Sequence, residues 1–271
     1  MTSNEVLLAN GNVRIKRTRY GLMAYNVNDA YVGRSFDCYG DFSRGEMLLF
    51  AQLITQQTLV VDVGANIGAH TLFFAQAVGA RGLVFALEPQ RAVFHLLCAN
   101  LALNEVGNVR AMHAAAGQAR GRAFMPVFDY SKPGNFGGIG LAEKDGEPVD
   151  MLSIDTLQLP ACHFMKIDVE GHEQAVIAGA AETIARFRPA LYVENDRRQQ
   201  SAELIRQIRD LDYKLYWHLP LLFSADNFFQ NPTNVFGNTV SVNMLCLPNS
   251  DQRTVAGMPP VTGPDDWPLA G

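Results

Sequence analysis

Acidic side chains recur where apolar runs of this chain end. Asp62 lies in VVDVGANIGAH (60–70) and Glu88 in FALEPQ (85–90). Asp168 and Glu170 lie in KIDVEGHE (166–173), and Glu194 with Asn195 lies in LYVEND (191–196). A carboxylate at the tip of a buried strand can accept hydrogen bonds from a diol or pair with a cationic amine. It can also take a proton or hold a hard cation. Two glycines and an asparagine follow the first of these acids at regular spacing, in the pattern D-x-G-x-N-x-G from Asp62 to Gly68.

Gly64 and Gly68 let the backbone turn sharply and let a ligand approach closely. A helix starting near Ile67 would add free N–H groups and a positive dipole end. Dinucleotide folds use G-x-G-x-x-G at this place. The present pattern tilts away from pyrophosphate and toward an amino-acid zwitterion, the group that S-adenosylmethionine carries, with Asp62 placed to hold its amine. Glu88 lies 26 residues after Asp62 (88 − 62). At its strand tip it is placed to accept hydrogen bonds from a ribose diol.

These residues require a scaffold that gathers strand tips. Hydrophobic alternation predicts strands at 58–63, 82–88, 108–113, 162–168, 189–194 and 213–217, with a last strand over 238–247. Helices are predicted at 67–79, 90–103, 172–186 and 201–211. Near-continuous apolar strands alternating with helices imply a doubly wound α/β sheet, which binds ligands beyond the carboxyl ends of its strands. Ahead of this core, 13–28 reads as a β-hairpin around Gly21. Residues 35–46 read as a polar and aromatic connector, and 44–56 as a helix with Ser43 as N-cap and Glu46 three residues on. The expected organisation is an N-terminal β-hairpin and connector over 1–45, a core over 46–247, and a tail over 248–271 draped on the surface with few apolar anchors. The Gly- and Pro-rich stretch 128–140 reads as a loop able to form one wall of a site. The aromatic- and Asn-rich stretch 218–237 has no period and reads as a substrate lid.

VVDVGANIGAHTLFFA, ALEPQ and MKIDVEGHEQAVIAGA (165–180) together resemble the FkbM-type family of S-adenosylmethionine-dependent methyltransferases, over about residues 30–247. The resemblance implies the class I methyltransferase (Rossmann-like) fold, a seven-stranded sheet with its last strand antiparallel. It also implies O-methylation of a sugar, polyketide or other natural product. Carried onto this chain, Asp62, Gly64, Ala65, Asn66, Gly68, Glu88, Pro89 and Asp168 would hold the cofactor. Ala115, after the third strand, would line the adenine. Tyr39 and Glu46 fall in the segment that closes over the cofactor.

Transfer to an alcohol needs orientation of the two reacting atoms and a way to remove the hydroxyl proton. The candidate bases are Asp168, Glu170, His172 and His218. Alternatively a divalent ion, Mg²⁺ or Ca²⁺, could bind the acceptor, with Asp168, Glu194 and Asn195 as an oxygen ligand set. Trp217, Phe223, Asp226, Asn227 and Asn234 are the lid residues suited to a sugar. Lys166 reads as a structural partner, and His70 and His95 read as structural.

With a net charge of −5, the chain lacks the basic character of a nucleic-acid surface. No apolar run approaches a membrane span, and neither a secretory signal pattern nor a CxxC pair is present. The expectation is a cytoplasmic enzyme acting on a small-molecule or carbohydrate acceptor, without nucleic acid or membrane, able to form a homo-oligomer. Two other readings compete: a nicotinamide-dependent oxidoreductase, and a non-catalytic scaffold of the same fold.

Overall fold

The computed structural model describes residues 4–269. Residues 1–3 and 270–271, the outer ends of the expected N-terminal segment and tail, lie outside the described residues. The chain opens with β1 (Val6–Asn10), β2 (Val13–Thr18) and β3 (Gly21–Asn26), then α1 (Val32–Tyr39) and α2 (Arg44–Leu53). Alternation follows through β4 (Leu59–Val63), α3 (Ala69–Val78), β5 (Leu83–Leu87), α4 (Arg91–Leu103) and β6 (Val109–Met112). Next come β7 (Ala115–Ala116), β8 (Gly121–Met125) and β9 (Glu147–Leu152). The second half runs β10 (Phe164–Ile167), α5 (Glu173–Ala178), α6 (Ala181–Phe187), β11 (Ala190–Glu194), α7 (Arg198–Asp210), β12 (Tyr213–His218) and β13 (Asn243–Pro248).

The main sheet has seven strands in the order β12-β13-β11-β10-β4-β5-β6. Only β13 runs antiparallel to its neighbours β11 and β12. This is the class I methyltransferase sheet that the sequence implies. The chain starts at the central β4 and winds outward both ways, so the switch point falls between β4 and β10. Every residue of β4 is buried, as a strand covered on both faces requires. α7 turns Ser201, Leu204, Ile205 and Ile208 inward, one stripe of an amphipathic helix. Separate apolar clusters on the two faces place α5, α6 and α7 on one side and α2 and α3 on the other. Two three-stranded sheets flank this core, β1-β2-β3 and β7-β9-β8.

Parallel register brings chemistry into rows. Lys166 pairs with Asp62 on one side and with Tyr192 on the other. Side chains alternate along a strand, so residues two further on share the same face. The row above Asp62, Lys166 and Tyr192 is therefore Gly64, Asp168 and Glu194, at the strand tips.

Four local expectations differ. The connector 35–46 contains the end of α1, closed by Gly40 in the left-handed region (φ 61°). Ser43 precedes α2 but its side chain caps nothing, because its backbone is left-handed and Glu46 turns inward. The helix expected over 172–186 breaks into α5 and α6. There Gly179 packs so tightly on Gly117 O that an added Cβ would sit 2.0 Å away. The tail has more apolar anchors than expected. Trp217 N–H donates to Pro259 O and Val261 N–H to Leu215 O, covering the free edge of β12. Val261 is buried, and Trp267 packs on Trp217.

Candidate active site

The D-x-G-x-N-x-G spacing is explained by the backbone between β4 and α3. Gly64 (φ 78°), Asn66 (φ 50°) and Gly68 (φ 89°) all lie in the left-handed region, and glycine and asparagine tolerate it best. A Cβ on Gly64 would fall 1.7 Å from Asp168 O, so this turn and the end of β10 meet backbone to backbone. Asn66 Oδ1 accepts the Ile67 N–H at 2.7 Å. Glu88 pins the loop from the next strand tip. Its Oε2 accepts the Asn66 N–H and its Oε1 the Gln90 N–H, both at 2.8 Å. Burial pushes its carboxyl up to about 7, despite these two hydrogen bonds.

A cavity of about 360 Å³ opens above these tips, within the range of small-molecule sites. One end is walled by Asn66, Glu88, Pro89, Gln90, Ala115 and the 135–138 segment of the glycine-rich loop. The other end is walled by Asp168, Glu170, Glu194, Asp196 and Arg197, under Leu222 and Ser241. Ligand oxygens of Asp168, Glu170 and Glu194 lie within 4.8 Å of one another. Glu194 Oε2 is buried without a hydrogen-bond partner. Burial, then Asp168 and Glu170, push the Glu194 carboxyl well above the usual range. Arg197 pairs with Glu170. The Glu170 carboxyl is nevertheless pushed up to about 8 by burial and by Asp168 and Asp196. Burial and mutual repulsion thus make Glu170 and Glu194 favour their protonated, neutral forms.

A buried polar layer lies beneath. Lys166 Nζ stands 3.0 Å from Asp168 Oδ2, 3.6 Å from Asp62 Oδ1 and 3.2 Å from Gly64 O. Burial works against its charge, but Asp168 and Asp62 outweigh it and hold the ammonium above its ordinary range. Glu46, on the first turn of α2, receives Asn243 Nδ2 at 2.9 Å and the Tyr192 hydroxyl at 3.3 Å. His70 Nε2 lies 2.9 Å from the other Glu46 oxygen, with its N–H off the carboxylate axis. Burial pushes the Glu46 carboxyl up. Contact with His70 and Lys166 outweighs it and leaves the group below its usual value.

Several expected site residues do not line the cavity. Asp62 is wholly buried under the loop, its Oδ2 accepting the Thr71 hydroxyl at 2.6 Å. Gly68 sits behind the loop against Leu97. Glu46 stands behind His70. Tyr39 turns to the lid, where its hydroxyl donates to Thr233 O and accepts the Val235 N–H. His218 Nδ1 is 2.8 Å from the Tyr192 hydroxyl, one layer too deep. Asn195 turns into the core, donating to Ser201 Oγ and Met244 Sδ, so its amide is outside the acid cluster.

The lid residues are likewise occupied elsewhere. Trp217 is buried and donates to Asp266. Phe223 packs on Tyr39. Asp226 pairs at the surface with Arg19 and Arg44. Asn227 and Asn234 bond within the lid's own turns. From 218–237 it is Leu222 that faces the cavity, joined by Val240–Val242 just beyond. Gly64, Ala65, Asn66, Glu88, Pro89, Ala115, Asp168, Glu170, His172 and Glu194 do line it. Burial lowers the His172 imidazole. Sequence reading missed His70, Phe42, Gln90, Arg197 and Ser241. The available signal for His70 was a polar pair, His70 and Thr71, at the start of the largely apolar helix AHTLFFAQAV.

The methyltransferase FkbM domain family matches residues 62–215. The sheet order and the site at its switch point are those of a class I methyltransferase. The chain belongs to the FkbM methyltransferase family. No curated protein matches it. Among solved structures, the FkbM methyltransferase from Methylobacillus flagellatus KT is 17% identical, covering 74% of this chain and 50% of its own, with a TM-score of 0.48. Trm5b from Pyrococcus abyssi is 12% identical, covering 88% and 56%, with a TM-score of 0.49. A SAM-dependent O-methyltransferase from Thermotoga maritima is 15% identical, covering 89% and 79%, with a TM-score of 0.46. This chain thus spans about half the length of the first two.

Proposed function

We propose that the chain transfers the methyl group of S-adenosylmethionine to a hydroxyl oxygen of a sugar, glycan or other natural product. The observation that carries this reading is one continuous cavity with two chemically distinct ends. At one end, left-handed Gly64 and Asn66 expose backbone, and Glu88 offers carboxylate oxygens suited to a ribose diol. Ala115 supplies a flat apolar patch for the adenine. At the other end, carboxylates surround the space where the acceptor would meet the methyl group. Held there in line, the two reacting atoms gain the advantage of an intramolecular reaction. The test is incubation with radiolabelled S-adenosylmethionine and a panel of sugars and natural-product alcohols. Label in an O-methyl ether supports the reading. Label only on nitrogen or carbon contradicts it.

The acid cluster favours a divalent cation as a second element of this reading. Asp168, Glu170 and Glu194 fit a hard ion such as Mg²⁺ or Ca²⁺, with the orphaned Glu194 Oε2 as an available ligand. Glu170 takes the place that sequence reading gave to Asn195. When bound, such an ion would lower the proton affinity of a ligated hydroxyl. Calorimetric titration of EDTA-treated protein with Mg²⁺ and Ca²⁺ tests it. Binding lost in Glu194→Gln is expected, and no heat with either ion contradicts the metal element alone.

A further inference from the structure

We propose that His70 is the base that receives the acceptor hydroxyl proton, with Glu46 as the positioning residue that fixes its tautomer. The inference rests on the reading of the cavity as an O-methyl-transfer site. His70 lines the cavity, although sequence alone gave it only a structural part. Three rings clamp its imidazole, Phe42 at 5.8 Å, Phe50 at 5.4 Å and Phe74 at 6.1 Å between centroids. Packing of that kind selects one ring orientation.

In that orientation Nε2 lies 2.9 Å from Glu46 Oε2, an electrostatic contact short of an aligned hydrogen bond, and no described residue hydrogen-bonds Nδ1. A carboxylate at one ring nitrogen keeps the proton there and leaves the lone pair on the other. Glu46 is itself over-determined. Asn243 on β13 and Tyr192 on β11 both donate to it. Lys166 on β10 faces it as a cation, and His218 on β12 closes the chain through Tyr192. Such a network holds a carboxylate ionised in a dry interior, where its effect on the ring is strong.

The pair lies close to the lid: Glu46 follows Gly45, which packs on Pro220 at the lid's root. Of the other candidate bases, Asp168 is engaged by Lys166, Glu170 by Arg197 and His218 by Tyr192. His172 also lines the cavity and is the competing base, so a kcat lost in His172→Gln but retained in His70→Gln would overturn the proposal. In the transfer, the acceptor oxygen bonds to the methyl carbon as the sulfur–methyl bond breaks and its electron pair stays on sulfur. The hydroxyl proton passes to His70 Nδ1.

The direct test is ¹⁵N spectroscopy of the histidine rings in the full chain. The His70 signal is assigned by its loss in His70→Gln or, should that variant not fold, by contacts to the Phe42 and Phe74 ring protons. A neutral ring with the proton on Nε2 and a free lone pair on Nδ1 is expected. A ring protonated on Nδ1 overturns the proposal. Calorimetry with S-adenosylhomocysteine separates the two levels. His70→Gln should bind it within about twofold of wild type, whereas a loss beyond tenfold would make His70 a donor-site residue and overturn the proposal. Failure of the wild type to bind it would strike the methyl-transfer reading and leave the tautomer result standing. With any alcohol that the wild type methylates, His70→Gln should lower kcat by roughly 10²–10⁴-fold at nearly constant KM. A retained kcat also overturns it.

Discussion

The two ends of the cavity are built on different principles. The Glu88 end is built mainly on one turn after β4 and the tip of β5, within residues 62–90, and is closed by Ala115 and the 135–138 segment. The acid end is made of side chains from β10, β11, the loop before α7 and the lid root, spread over residues 166–242. Backbone construction tolerates no change of residue at its crossing points. Side-chain construction tolerates change in geometry but depends on charge balance. The two ends should therefore fail differently when altered.

The largest effect is expected where the two meet. Gly64→Ala places a methyl group 1.7 Å from Asp168 O at a left-handed position, so both strand tips must move. A loss of more than about 3 kcal/mol is expected. Thermal melting would read it, and an unchanged Tm would show that the crossing is looser than described. Next comes Lys166→Met, which leaves the wholly buried Asp62 with only Thr71. Removing one partner of a buried pair costs about 3–5 kcal/mol. The double variant Asp62→Asn with Lys166→Met should recover part of that in urea unfolding. No recovery would mean that the pair is not coupled.

A pH effect should separate the ends. The folded Glu88 carboxyl is pushed up to about 7 by burial, so its protein surroundings favour the neutral form. For Glu88 alone, the stability contribution is present below its unfolded value and is lost as pH rises toward about 7. A ribose diol needs the ionised form. Affinity for S-adenosylhomocysteine should thus fall as pH drops below about 7, approaching tenfold per pH step. Glu88→Gln should flatten this slope, and an equally steep slope in that variant would assign it to another group. The smallest effect is expected at the lid surface. Asp226 is exposed and paired with Arg19 and Arg44, and such pairs contribute little. Asp226→Ala should leave Tm and S-adenosylhomocysteine affinity within error, whereas a clear loss of affinity would tie the lid tip to the donor end.

The same contrast explains what could be read in the sequence. The main strands and the glycine turn were legible because hydrophobic alternation and residues suited to a left-handed backbone are local signals. Glu88 was legible because a strand tip fixes its direction. Glu46, Tyr39 and His218 were read at the ligand, yet they are absent from the lining of the cavity. Depth depends on packing between distant elements, here Tyr192, Asn243 and the lid, which no short window contains. Asn195 illustrates the period of a strand: Glu194 faces the cavity, so its neighbour must face away. The lid was recognised as irregular, but its aromatic residues serve to fasten it to α1. Trp217, Phe223, Asn227 and Asn234 have the composition of a sugar site, yet each is taken up by partners within the protein.

The central claim is that the Glu88 end holds the donor, and the most direct measurement is calorimetric titration with S-adenosylhomocysteine of wild type, Glu88→Ala and Glu170→Gln. The account predicts micromolar binding by the wild type, a loss of at least tenfold in Glu88→Ala, and little change in Glu170→Gln. Absence of binding by the wild type, or equal binding by Glu88→Ala, would contradict it.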